Sequence, residues 1–178
     1  HKKQFLVTSW LSGCNMNVGL GNSFVKILFV CSANICRSFM AERIFRGKSE
    51  KSGRSDISVS SASLLDMKGA PADPKAVDLL VEKGFAGHGH KSRLLTKEMS
   101  AETDMILVME QQHREMIIER HPDAAEKIFL LKPFTTGCAR PDSNNMNDIN
   151  DPYKQSGYHY RLCFAEIYMG IEGLLKCI

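Results

Sequence analysis

The sequence predicts a single α/β domain with three layers, in which helices cover both faces of a four-stranded parallel sheet. One observation is that short apolar runs alternate along the chain with stretches of helical periodicity. A second is that the first run, 25–31, is almost continuously apolar, which is typical of a parallel strand covered on both faces. A third is that 178 residues, 43% of them hydrophobic, are enough for one domain with a substantial core.

The periodicity and the turn residues place each element. Strands are predicted at 25–31, 57–62, 104–109 and 127–131, and helices at 38–50, 75–83, 99–102, 110–120 and 158–175. In the first helix the apolar stripe is expected to be formed by Met40, Ala41, Ile44 and Phe45. The opposite face is expected to carry Glu42, Arg43 and Arg46. A long polar loop is expected over 135–150.

Residues 1–24 are predicted to be an N-terminal extension, and 25–178 to be the domain. The extension superficially resembles a lipoprotein export signal that ends at Cys14. Its apolar stretch is short and is broken by Thr8 and Ser9, which argues against export.

Composition excludes several classes of function. A net charge of +3 is too small to indicate a nucleic-acid partner. No apolar run approaches the roughly 18 residues that a membrane-spanning helix needs, so direct insertion into a membrane is not expected. The six cysteines lack paired spacing, which argues against a disulfide framework and a metal site and favours a reducing cytoplasm. No cofactor is expected.

The motif that carries chemistry begins where the first strand ends. Cys31 closes the strand, Arg37 and Ser38 follow after five residues, and a helical pattern begins there. A strand that leads through a tight loop into a helix directs backbone N–H groups towards one point. This arrangement favours the binding of a phosphate group. Asn34 suits the left-handed conformation that such a loop requires. We interpret the stretch as a phosphate-binding loop that carries its own nucleophile.

Phosphate-ester hydrolysis through a cysteine requires a thiolate, a group that binds the phosphate charge and a proton donor. Arg37 offers a planar fork of donors, and the Ser38 hydroxyl is expected to donate to the sulfur. Asp151, followed by Pro152 and Tyr153, is the best candidate for the acid. Spacing alone does not place that segment over Cys31.

The loop from Cys31 to Ser38, together with the distant Asp151-Pro152-Tyr153, resembles the low-molecular-weight protein tyrosine phosphatase family. The likeness covers about 25–178 and includes the segments 61–62, 69–74, 90–93 and 106–110. It implies the sheet order 2-1-3-4, hydrolysis of phosphotyrosyl proteins, inorganic phosphate as product, and neither metal nor organic cofactor. The segment 151–156 and Leu64 resemble bacterial enzymes of exopolysaccharide systems. That likeness implies the tail of a membrane-bound tyrosine kinase as the partner.

The resemblance also implies roles for single residues. Cys31 is the nucleophile, Arg37 the phosphate clamp, and Asp151 the general acid and then the base. The remaining residues of the loop are Ser32, Ala33, Asn34, Ile35, Cys36 and Ser38. Ser61 and His90 support the loop, and Leu64 and Tyr153 form the substrate walls. Cys36 matches a cysteine that in the family forms a reversible disulfide with the nucleophile. Independently of the resemblance, the remaining histidines of the domain are expected at the surface, namely His88, His113, His121 and His159.

Two positions depart from the family, which usually has glycine at Ala33 and proline at Phe39. A positive φ at Ala33 would strain the loop by about 1 kcal/mol or more.

Other activities also use this type of loop. Arsenate reductase needs further cysteines, and 109–120 contains none. Arginine phosphatases tend to have threonine at the position of Ile35, where isoleucine favours phosphotyrosine. A catalytically silent phosphotyrosine-binding module is the alternative from a different class.

Overall fold

A computed structural model describes residues 24–137 and 147–178, and in it the chain forms one four-stranded sheet. The strands are β1 (Val25–Cys31), β2 (Ile57–Ser63), β3 (Met105–Val108) and β4 (Ile128–Leu130). Their order is β2-β1-β3-β4, and all three pairs are parallel. The predicted fold class and strand order are therefore confirmed.

Five α-helices surround this sheet in the described part of the chain. They are α1 (Arg37–Lys51), α2 (Pro74–Glu82), α3 (Lys97–Glu102), α4 (Gln111–Arg120) and α5 (Gly157–Cys177). Side-chain caps begin two of them, because Asp73 accepts from the Lys75 N–H and Thr96 from the Met99 N–H. Two 3-10 helices, Pro122–Lys127 and Lys132–Thr136, were not predicted. Each has a proline in its first turn and lacks the length that helical periodicity needs.

The alternation of side chains along β1 explains its continuous apolar run. Ile27, Phe29 and Cys31 face the core cluster that includes residues of α1 and α5, whereas Leu28 and Val30 face a second cluster that includes Ile117 of α4. Both faces of the sheet are therefore buried, and the strand ends with Cys31 at the sheet's carboxyl edge.

Some expectations about single residues are corrected or extended. The stripe of α1 is buried as predicted, but Glu42, which was expected on the opposite face, is buried as well. It bonds to Ser61 and to Arg46, so a polar network stabilises its burial. Cys31, Cys36 and Cys163 are free thiols, whereas Cys177 is disulfide-bonded, which the cysteine spacing did not predict.

Parts of two predicted segments lie outside the described residues. These parts are 1–23 of the N-terminal extension and 138–146 of the polar loop. Among the helices described, none is long and apolar enough to cross a membrane.

Candidate active site

Cys31 lies buried at the carboxyl end of β1, where the chain turns into the loop that leads to α1. Its sulfur is 3.1 Å from the Ser38 hydroxyl oxygen, and the Asn34 backbone N–H donates to the sulfur over 3.3 Å. Two polar groups therefore converge on Sγ from the loop and from the first turn of α1. Both contacts favour a negative charge on the sulfur when their hydrogens point towards it.

Asn34 gives the loop its shape. Its φ is +54°, and its side-chain Nδ2 donates to the hydroxyls of Ser38 and Ser61, each over 2.9 Å. Asparagine tolerates this left-handed conformation better than most residues do. Ala33 is not among the described residues with positive φ, so the strain considered for the glycine position does not arise.

A second layer of polar contacts holds the outside of the loop. His90 Nε2 donates to the Asn34 carbonyl over 2.6 Å, and the Ser92 hydroxyl donates to the Ala33 carbonyl over 2.7 Å. Phe39, which stands where the family usually has proline, packs its ring against His90 with the ring centroids 4.5 Å apart. Burial is the main cause that lowers the pKa of His90, which keeps the imidazole neutral for this hydrogen bond.

Arg37 is 2% exposed and is surrounded by acceptors. One terminal nitrogen donates to Asp151 Oδ2 over 2.7 Å, and the other donates to the Ile149 carbonyl over 3.0 Å and to Glu110. Burial opposes the charge, but Cys31, Asp151 and Glu110 outweigh it and raise the pKa of the guanidinium. Arg37 is therefore a permanent cation that links the loop to the Asp151 segment.

Backbone contacts bring the Asp151 segment over the loop. The Ile149 N–H donates to the carbonyl of Met109, the residue after β3, and Asp148 accepts from the Gln111 N–H at the start of α4. Asp151 then reaches Arg37 and also accepts from the Tyr153 N–H over 3.1 Å. The structure thus joins two segments that the sequence leaves unconnected. Asp148 and Glu110 were missed, because their roles depend on the docking of this segment.

One of the two residues expected as substrate walls is buried. Leu64, expected as a substrate wall, is 2% exposed and packs in the second core cluster, so it does not face an open entrance. Its neighbour Leu65 is 48% exposed, and the Leu65 N–H donates to the Ser32 carbonyl over 2.9 Å. Tyr153, expected as the other wall, is 44% exposed. Ile35 is almost entirely buried in the loop.

Cys36 is a buried thiol within the same loop. Burial, with Asp73, Asp151 and Cys31 nearby, raises its pKa. Cys36 is consequently protonated at neutral pH. The disulfide with Cys31 that the resemblance implies stays a prediction.

His113 contradicts its expected surface position. It lies in the first turn of α4 and is 2% exposed, with Nε2 2.9 Å from the Ser32 hydroxyl. Burial, and after it the positive charge of Arg37, lowers the pKa of His113 to about 4. Its place in the first turn of the helix that follows β3 was a signal that this end of α4 meets the loop.

This buried histidine predicts a loss of stability in mild acid. The unfolded chain binds a proton at this residue below about pH 6.5, whereas the folded protein does so only near pH 4. The free energy of unfolding therefore decreases as the pH falls between these values, by about 2 kcal/mol from pH 7 to pH 5. Urea unfolding at both pH values measures the loss. His113→Gln, which does not titrate, should remove that part of the dependence, and an identical loss in this variant would contradict the assignment.

Comparison with known proteins agrees with this geometry. The model of the family described as low molecular weight phosphotyrosine protein phosphatase matches residues 26–178. A protein-arginine-phosphatase of Bacillus subtilis is 35% identical over 74% of this chain and 87% of its own length. The low molecular weight protein-tyrosine-phosphatase Wzb of Escherichia coli is 32% identical over 84% of this chain and 89% of its own. A structure of Vibrio vulnificus Wzb in complex with benzylphosphonate superimposes with a TM-score of 0.74 at 30% identity, covering 88% of this chain and all of that one. The chain therefore belongs to the low molecular weight phosphotyrosine protein phosphatase family.

Proposed function

We propose that the protein hydrolyses phosphotyrosine in proteins through a cysteinyl-phosphate intermediate on Cys31. The observation that carries this proposal is the convergence of Cys31, Arg37 and Asp151 at one edge of the sheet. The nucleophile is supported by Ser38 and Asn34, and the clamp is joined to the acid by the 2.7 Å ion pair between Arg37 and Asp151. The family membership supports the same reaction.

The reaction has two steps, each with a defined proton path. In the first, the Cys31 thiolate forms a bond to phosphorus, the bond between phosphorus and the tyrosine oxygen breaks, and protonated Asp151 gives its proton to that oxygen. In the second, the Asp151 carboxylate takes a proton from water while the water oxygen attacks phosphorus. The sulfur–phosphorus bond then breaks, and inorganic phosphate leaves.

The surrounding groups stabilise the charge that this reaction moves. The backbone N–H groups of 32–37 and the Arg37 fork bind the phosphoryl oxygens, whose charge is greatest in the transition state. Ser38 donates to the sulfur when it becomes the leaving group. Asn34, Ser61 and His90 keep the loop in shape through the contacts described above.

Phosphotyrosine is favoured over phosphoarginine by the apolar surroundings. Ile35 lies in the loop, and the exposed Leu65 and Tyr153 follow β2 and Asp151. We expect these apolar side chains to contact the aromatic ring of the substrate. Relatives named as protein-arginine-phosphatases make arginine the second candidate substrate. For the partner, the resemblance of 151–156 to enzymes of exopolysaccharide systems supports the tyrosine-rich tail of a membrane-bound tyrosine kinase.

Matched peptides that carry phosphotyrosine or phosphoarginine test the substrate. We expect kcat/KM to favour phosphotyrosine by about tenfold or more, on the scale at which pocket contacts discriminate substrates. Ile35→Thr should reduce this preference, whereas the same exchange at Ile118, a half-buried residue of α4, should leave it unchanged. A parent protein that prefers phosphoarginine would contradict the assignment. Binding of the phosphotyrosyl peptide without any release of phosphate would identify a silent binding module.

A further inference from the structure

A buried polar pair joins the loop to helix α4 beside the arginine clamp. Ser32 is the residue after the nucleophile, and its hydroxyl oxygen is 2.9 Å from Nε2 of His113. The histidine side chain is 2% exposed and lies 3.9 Å from Glu110 Oε2, and Glu110 in turn bonds Arg37. The Ser32 hydroxyl is therefore held on the side of the loop where Arg37 acts. None of the roles derived above uses this contact.

The surroundings of the imidazole determine which atom donates in this pair. Its second nitrogen, Nδ1, is buried and has no hydrogen-bond partner. Burial and the nearby guanidinium oppose a second proton, so the ring carries only one. A buried N–H without an acceptor is rarer in proteins than a buried acceptor without a donor, which places the single proton on Nε2. His113 then donates to the Ser32 oxygen, and the hydrogen of the Ser32 hydroxyl is free to bond elsewhere.

We propose that His113 is a positioning residue that turns the Ser32 hydroxyl into an additional hydrogen-bond donor for the oxyanion held in the Cys31–Ser38 loop. Ser32 directly follows the residue that becomes phosphorylated, so a phosphoryl oxygen on Cys31 lies within reach of its side chain. Without His113, the hydroxyl rotates among its other rotamers and its donation is lost. The proposal rests on the proposed function, because it takes this loop to be the phosphate site.

The test measures the affinity of inorganic phosphate for the full chain by calorimetry, which requires neither turnover nor a particular substrate. Ser32→Ala and His113→Leu should each weaken phosphate binding by about tenfold, the usual effect of one hydrogen bond to a charged group. The double variant should lose no more than either single variant, because both act through one hydroxyl. His113→Gln keeps an N–H donor at a similar reach and should restore affinity to within about twofold of the parent.

Two controls separate this role from a merely structural one. Gln112→Leu changes the exposed neighbour on the same helix and should leave phosphate affinity unchanged. Thermal unfolding reports whether His113→Leu is folded at the temperature of the binding experiment. If that variant does not fold, His113→Met, which also lacks an N–H donor, takes its place in the comparison with His113→Gln.

Each outcome has a distinct meaning. Unchanged phosphate affinity in Ser32→Ala, or additive losses in the double variant, would overturn the proposal and leave the proposed function intact. A parent protein that binds no phosphate would instead contradict the proposed function. Equal losses in the two single variants, with no further loss in the double variant and rescue by glutamine, would establish the positioning role.

Discussion

Replacing Cys31 with serine is expected to lower the turnover of an aryl phosphate by roughly 10⁴-fold or more, on the scale at which enzymes lose activity without their nucleophile. A hydroxyl is a far weaker nucleophile than a thiolate at neutral pH. The bonds from the Asn34 side chain to Ser38 and Ser61 do not involve Cys31, so the loop should keep its shape. Steady-state hydrolysis and rapid-quench detection of the phosphoenzyme measure the loss.

Two further variants make this result specific. Cys31→Ala removes the nucleophile entirely and separates residual attack by serine from contaminating activity. Cys163→Ala changes another buried free thiol, located in α5, and should retain the parent rate. Because Cys31→Ser keeps Arg37 and the loop, it should also retain a tyrosine-phosphorylated protein from a lysate. Parent-like hydrolysis by Cys31→Ser would refute the cysteinyl-phosphate mechanism.

Asp151→Asn is expected to lower kcat by roughly 10²–10⁴-fold, the usual contribution of general acid–base catalysis. Asparagine still accepts a hydrogen bond from Arg37, and Ile149 and Asp148 keep the segment docked. The variant therefore lacks only the proton that the Asp151 carboxyl donates. The loss should depend on the leaving group. It should be greatest for phenols that are poor leaving groups and smallest for an activated phenol such as nitrophenol, because the acid protonates the departing oxygen.

A substrate series measured with both proteins checks this dependence. Asp123→Asn, an exposed carboxylate in the 3-10 helix before β4, serves as the matched control and should behave like the parent. An equal loss with every leaving group would indicate that Asp151 positions Arg37 and does not donate a proton.

The sequence was sufficient for the features that short segments determine. A strand that ends at Cys31, a loop and the start of a helix are adjacent in the chain, so residue types and spacing predict the loop without any long-range information. The sheet order required the family resemblance as well. The departure at Ala33 adds no strain from a positive φ, because the left-handed conformation falls on Asn34 alone within the loop.

Features that depend on packing between distant segments were not predictable in the same way. Leu64 and Leu65 are adjacent and chemically identical, and only the path of the chain after β2 decides which one is buried. His113 belongs to a helix with a weakly apolar face, and its burial arises from the loop that packs against it. Glu110 and Asp148 likewise gain their contacts only when the segment before Asp151 lies on the end of β3.

The ion pair between Arg37 and Asp151 has a consequence for the release of the product. Phosphate that enters the loop competes with the carboxylate for the same guanidinium, so binding is an exchange of one anion for another. In the proposed reaction, this exchange frees Asp151 for proton transfer to the tyrosine oxygen. After the second step of the proposed reaction Asp151 holds a proton, and once this proton is lost the carboxylate competes with inorganic phosphate for Arg37. We therefore expect Asp151 to compete with the product for Arg37 and to limit product inhibition.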